Sequence, residues 1–264
     1  MLSNFPIGQY IPGSSLIHRL DARIKIILLL GALIILFWAR SFTSYTIYFF
    51  YLLLTVIFSS ISFRYLIRTL KPLLFLILLT FFINLIFTTS GKVILEWKGI
   101  KITKEGLVMG MQMSMRLIFL ILFSSLLTLT TSPLEIADAL EYLLFPLKFL
   151  GISSFEIAMM ITIAIRFIPT LLEETERIIK AQMSRGADFE SRNILKRIYN
   201  MVPVLVPLFV SAFRRADDLA FAMESRCYRG GEFRTKLRIA KIRAIDFQAI
   251  LISLFFWVLV VFLR

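Results

Sequence analysis

The chain has 264 residues, 58% of them hydrophobic, with a mean hydropathy of +0.83 and a formal charge of +13. That apolar fraction exceeds the roughly 45–50% of a soluble domain, so lipid is the solvent for much of the fold, and the basic charge fits membrane-flanking Lys and Arg, not nucleic acid. A single cysteine, Cys227, and a single histidine, His18, exclude an internal disulfide, a cysteine metal cluster and a multi-histidine metal site.

Residues 1–23 are polar and rich in turn formers (Pro6, Gly8, Pro12, Gly13), without the charged-then-apolar run of a cleavable signal. An apolar run from Ile24 to Ala39 and a second from Thr46 to Ile61, parted only by a short polar stretch at Arg40, predict two membrane helices. Arg64, Arg68, Lys71 and Pro72 read as a loop before a third run, Leu73 to Thr89. Ser90 to Glu105 holds two apolar triplets around Lys98-Gly99, the pattern of a small hairpin outside the bilayer. Gly106 to Thr131 and Ile245 to Leu263 are the fourth and fifth spans. Inside them, Asn84 is expected to hydrogen-bond between helices and Arg116 to snorkel.

The segment 132–243 differs. Ser132-Pro133-x-Glu135 is a helix start, and that helix should end at Gly151. A second helix from about Ser153 towards Arg185 and a third from about Ile194 to Arg226 are amphipathic, the third bending at Pro203 and Pro207. Glu156, Arg166 and Pro169 interrupt the apolar stretch of the second, although a sixth and a seventh crossing remain an alternative for this block. Of the 30 Lys and Arg, 17 fall in 132–243, so the positive-inside rule places that block and the N-terminus in the cytoplasm and the C-terminus outside. The fold class is therefore an all-α integral membrane protein of about five transmembrane helices plus a cytoplasmic domain of three long amphipathic helices. The expected divisions are 1–131, 132–243 and 244–264.

No phosphate-binding glycine loop, nucleophile–base pair or acid–base constellation is present, so catalytic, substrate-binding and metal residues are expected to be absent. What stands out is a repeated helix ending. Ala181-Gln182-Met183-Ser184-Arg185-Gly186 and Ala222-Met223-Glu224-Ser225-Arg226-Cys227 both read Ala-x-x-Ser-Arg-small, 41 residues apart, with Glu176 and Asp217 each nine residues upstream of their arginine. A single Arg at a helix end is an ordinary cap. Two in matching frames point to guanidinium forks offered to carboxylates of another protein.

With these motifs the chain resembles the transmembrane T component of energy-coupling factor transporters, the EcfT/CbiQ family. The resemblance covers essentially its whole length. Family members end two long coupling helices in Ala-Arg-Gly-type motifs; here Ser184-Arg185-Gly186 and Ser225-Arg226-Cys227 stand in those places, with Ser for Ala in both and Cys for Gly in the second. The resemblance implies docking of two ABC-type ATPase subunits at these six residues and a membrane S component as further partner. It also implies vitamin or transition-metal uptake across a prokaryotic plasma membrane. ATP and Mg would be bound by the ATPases, with no cofactor on this chain. The competing reading is a self-sufficient secondary transporter or channel, which would need polar or charged residues within the spans, where few occur.

Overall fold

A buried carboxylate joins the starts of the first and the last helix. The computed structural model describes residues 10–88, 90, 92–97, 100–144, 146, 154–189, 194–230 and 242–263. Asp21 precedes α1 (Ala22–Trp38) and its side chain accepts the Arg23 backbone N–H at 2.9 Å. Asp246, in the first turn of α9 (Ala244–Phe262), accepts the Arg243 N–H at 2.6 Å and the Asp21 N–H at 2.9 Å. Helix starts carry N–H groups without intrahelical partners, and an anion there also favours the helix dipole. Asp246 serves both helices at once.

Between them lie α2 (Phe42–Ser59), α3 (Phe63–Leu70), a 3-10 turn at Lys71–Leu73, α4 (Leu74–Phe87), strands β1 (Val93–Trp97) and β2 (Ile100–Thr103), α5 (Lys104–Thr130), α6 (Pro133–Leu143), α7 (Ser154–Ser184) and α8 (Ile194–Ser225). The strands form the expected antiparallel hairpin, with Trp97 paired to Ile100; the Lys98-Gly99 turn lies outside the described residues, as does the expected helix end at Gly151. The chain forms two compact units, Gly8–Ala139 with Ala240–Arg264, and Leu140–Ile239.

The first unit is organised by tyrosines. Tyr45, Tyr48 and Tyr51 recur along one face of α2 and are buried against Phe119 and Phe123 of α5, with ring centroids 5.3–6.4 Å apart. Each hydroxyl is satisfied: Tyr45 and Tyr48 donate to the carbonyls of Ala39 and Ala32 in and after α1, and Tyr51 shares a hydrogen bond with Ser253 of α9. The ends of α1 and α5 are capped reciprocally. Lys25 of α1 donates to the Thr130 carbonyl at 3.0 Å, where α5 ends; Arg116 and Gln112 of α5 donate to the Ala39 and Arg40 carbonyls at 3.1 and 2.6 Å, where α1 ends. His18 is likewise structural, bonded to Ser15 and to the Ile11 carbonyl.

Three expectations change. The 62–71 stretch is helical, not a loop: α3 begins after Ser62, and Pro72 falls in the 3-10 turn, where its missing N–H disturbs the helix little. Asn84 donates to the Thr80 carbonyl of its own helix at 2.8 Å, so an amide in lipid is satisfied locally and not between helices. Arg116 does not snorkel but caps α1 and lies over Phe37, 5.4 Å from the ring centre.

Among the described residues, five helical stretches are long and apolar enough to cross a membrane, though not the five expected: Phe42–Ser59, Phe63–Phe87, Lys104–Thr130, Phe155–Ser184 and Ala244–Phe262. With 17 residues, about 25 Å, α1 sits at the short end of the roughly 17–25 residues of a membrane span and crosses with the help of its flanking residues. The helix α7 enters the set because it runs unbroken through Pro169.

Gly31 lets α1 and α9 approach. A Cβ placed there would overlap the Trp257 indole, a rigid ring that cannot flex aside as a long chain would. Gly31→Ala should therefore destabilise the membrane unit by about 1–3 kcal/mol through overpacking, read as a lowered detergent-solubilised Tm. Gly31→Ala with Trp257→Leu should recover most of it. An unchanged Tm in the single variant would remove this close approach from the account.

Candidate functional site

The two repeated sequences fold into the same cap. At the end of α7, the Gly186 N–H reaches the Met183 carbonyl at 2.9 Å and the Ala187 N–H reaches the Gln182 carbonyl at 3.0 Å. At the end of α8, the Cys227 N–H reaches the Glu224 carbonyl at 2.9 Å and the Tyr228 N–H reaches the Met223 carbonyl at 3.0 Å. Both are Schellman motifs, in which a left-handed residue turns the chain and satisfies the last carbonyls. Gly186 has φ 90° and Cys227 φ 57°. The turn therefore forms without glycine in the second copy, at a cost of about 1–2 kcal/mol for a side chain in the left-handed region.

In both copies the arginine is the last residue before the left-handed one. Arg185 and Arg226 are exposed, and among the described residues neither guanidinium makes a hydrogen bond or ion pair. Ser184 and Ser225 turn their hydroxyls back to carbonyls of their own helices, those of Lys180 and Ala222, at 3.1 and 3.0 Å. A serine there satisfies itself, as an alanine would have no need to. The six residues form two sites rather than one. A groove at the second is lined by Met159, Met223, Tyr228 and Arg229 beside Arg226 and Cys227, and Arg185 is not part of it. Tyr228 donates to the Met159 sulfur at 3.1 Å, which fastens the end of α8 to the start of α7.

Sequence reasoning missed what holds the pair together. Arg215 of α8 donates to Glu174 of α7 at 2.7 Å, an ion pair between half-exposed side chains. Positions 174 and 215 are 41 residues apart, the same offset as Arg185 and Arg226, so the two copies touch at equivalent positions. The signal was present in the 41-residue frame, but Glu opposite Arg does not look like a repeat. Ala158 of α7 and Val204 of α8 supply buried apolar surface to the same unit. Among the described residues no cluster of His, Cys, Asp and Glu has the grouping of a metal site.

Against known proteins, the family model of CbiQ, a cobalt transport protein, matches residues 13–237. The energy-coupling factor transporter transmembrane protein EcfT of Acidaminococcus fermentans is 51% identical over 264 residues, covering 100% of this chain and 98% of that one. The protein of the same name from Thermosediminibacter oceani is 53% identical over 243 residues, 92% of this chain and 91% of its own. That from Bacillus subtilis is 46% identical over 238 residues, 90% of each.

The Glu174–Arg215 contact can be read by charge exchange. Arg215→Glu puts two carboxylates together and should loosen α7 from α8, seen as faster proteolysis of the 140–239 unit. Arg215→Glu combined with Glu174→Arg should restore resistance, with a coupling of about 0.2–1 kcal/mol for a half-exposed pair. Proteolysis rates that ignore the charge arrangement would show that the pair does not hold the two helices.

Proposed function

The chain belongs to the CbiQ/EcfT family as a multi-pass membrane component of energy-coupling factor transporters, a role without catalysis of its own, and we propose on that premise that it is the coupling scaffold of an ATP-driven importer. Two ABC-type ATPase subunits dock on it, one at Ser184-Arg185-Gly186 and one at Ser225-Arg226-Cys227. A membrane S component captures a vitamin or transition-metal ion and is moved by α7 and α8 when the ATPases bind and hydrolyse ATP. The nucleotide and Mg belong to the ATPases, and this chain holds no cofactor.

The observation that carries this reading is the pair of identical caps presenting exposed arginines without partners among the described residues. An arginine fixed at a helix end is a preorganised five-donor fork, suited to a carboxylate in a partner's groove. A second feature supports the S component. Val202, Val206, Phe209 and Phe213 of α8 recur every three or four residues, and each is half or more exposed, 50% to 69%. Such a stripe on one helix face is a surface for another apolar helix.

The bias of 17 basic residues in 132–243 supports an arrangement with that block and the N-terminus cytoplasmic and the C-terminus outside, in a prokaryotic plasma membrane. In a Cys227→Ser background, a cysteine introduced at exposed Lys92 should react with an impermeant thiol reagent on intact cells. Native Cys227, tested in the unaltered protein, should react only after permeabilisation. The reverse pattern would invert the topology.

Removing one side of a desolvated charge pair costs about 2–5 kcal/mol because the partner charge is left buried. Arg185→Ala or Arg226→Ala should each weaken ATPase copurification and slow uptake at matched membrane expression, and lysine should rescue poorly for want of a bidentate fork. The double variant should lose the ATPases far more completely than either single, since one anchor still benefits from effective concentration. Intact assembly and uptake in the double variant would reduce both arginines to helix caps.

A further inference from the structure

The membrane unit contains a cavity of about 220 Å³ that the coupling function does not use. Its walls come from α1, α2, α5, α9 and the segment before α1, through residues such as Leu20, Leu29, Phe123 and Leu126. It is not closed: Leu16, Phe58 and Ile252 line it and are themselves 47%, 42% and 39% exposed.

The polar groups on its wall are already committed. The Lys25 ammonium donates to the His18 and Thr130 carbonyls and to the Thr131 hydroxyl. Tyr51 and Ser253 bond to each other, and Thr55 donates to the Leu52 carbonyl. Only Gln248, exposed at the end where α9 begins, has no hydrogen bond among the described residues. A polar small molecule would thus find one free amide, that of Gln248 at the cavity's end, and elsewhere only hydroxyls and an ammonium already bonded, and an apolar cavity of this size does not hold water well. Hydrocarbon is what fits it, and the medium beside α2, α5 and α9 is hydrocarbon.

One end of the cavity carries charge. Leu16 and Leu20 of the wall flank exposed Arg19, and Ile245 of the wall follows exposed Arg243 by two residues. The Asp21 N–H bonded to Asp246 at 2.9 Å brings the two segments side by side. Two exposed arginines close in sequence to wall residues at one end of an apolar crevice suit a phosphate-bearing headgroup.

We propose that this cavity is a binding site for an anionic phospholipid, one acyl chain entering between α1, α2, α5 and α9 and the headgroup phosphate held by Arg19 and Arg243. The leaflet concerned is the cytoplasmic one, a detail that rests on the proposed orientation; the binding itself does not. A bound acyl chain completes the packing around Tyr51 and Ser253, so the lipid acts as a structural part of the membrane unit.

The test uses the full chain in nanodiscs of phosphatidylglycerol, phosphatidylcholine or their equimolar mixture, with lipid retained after detergent extraction measured by native mass spectrometry. About one phosphatidylglycerol per chain should be retained from the mixture, in preference to phosphatidylcholine. Arg19→Gln and Arg243→Gln should each lower that preference about fivefold, the worth of one basic residue near an anionic surface. Ala249→Phe, which fills the cavity from α9, should abolish retention of either lipid; Thr55→Phe fills it from α2 and serves if the first variant does not fold. Retention undiminished in a folded cavity-filled variant overturns the site. Equal retention of the two lipids by the unaltered chain, or a preference indifferent to both arginines, overturns the headgroup assignment. Symmetric nanodiscs make these outcomes independent of topology, which the Lys92 labelling decides separately.

Discussion

In a bilayer the last carbonyls of a helix have no water to turn to, and this membrane unit is arranged around supplying them with donors. The donors that do so come from neighbouring helices: Lys25 of α1 closes α5, and Arg116 with Gln112 of α5 closes α1. The arrangement fixes how α1 and α5 slide along each other, since a shift of one turn would open both ends at once. Asp246 does the matching work for N–H groups, binding the starts of α1 and α9 to one carboxylate. With these ends held, the tyrosine face of α2 meets Phe119 and Phe123 in one register. Loss of one partner leaves a buried polar group that costs about 1–3 kcal/mol, more than the bond itself contributes.

The second unit follows a different logic. Its two long helices keep an apolar stripe and two cationic ends exposed, which a free-standing domain would bury or pair. The surfaces make sense as contacts waiting for other subunits. A Schellman turn fixes the backbone of Arg185 and Arg226, so the docking proposed for them would cost side-chain freedom but little backbone freedom.

Much of this was readable in the residues. The hairpin at Val93–Thr103, the start of α6 at Ser132-Pro133-x-Glu135 and both arginine endings follow from local chemistry, and local chemistry is what a sequence displays. The structure adds contacts that join distant parts of the chain. Arg116 read as a snorkelling charge because sequence gives a charge its depth but not its partner, the Ala39 carbonyl. Pro72 and Pro169 read as breaks, whereas neighbouring turns absorb the lost N–H and the helical path continues. Glu174 and Arg215 were hidden because repeat detection looks for likeness, and complementarity is unlike by nature.

That unlikeness has an evolutionary reading. When two identical chains pair symmetrically, a position lying where equivalent residues meet must face a copy of itself, so an acid there meets an acid and a base meets a base. Opposite charges become available at such a position only when both copies are carried on one chain and each can change alone. The Glu174–Arg215 contact, between equivalent positions of a 41-residue repeat, is of this second kind. A tandem chain can therefore use an attraction forbidden to a symmetric dimer at such a position, and it can also give its two arginine ends separate fates, as Gly186 and Cys227 already show.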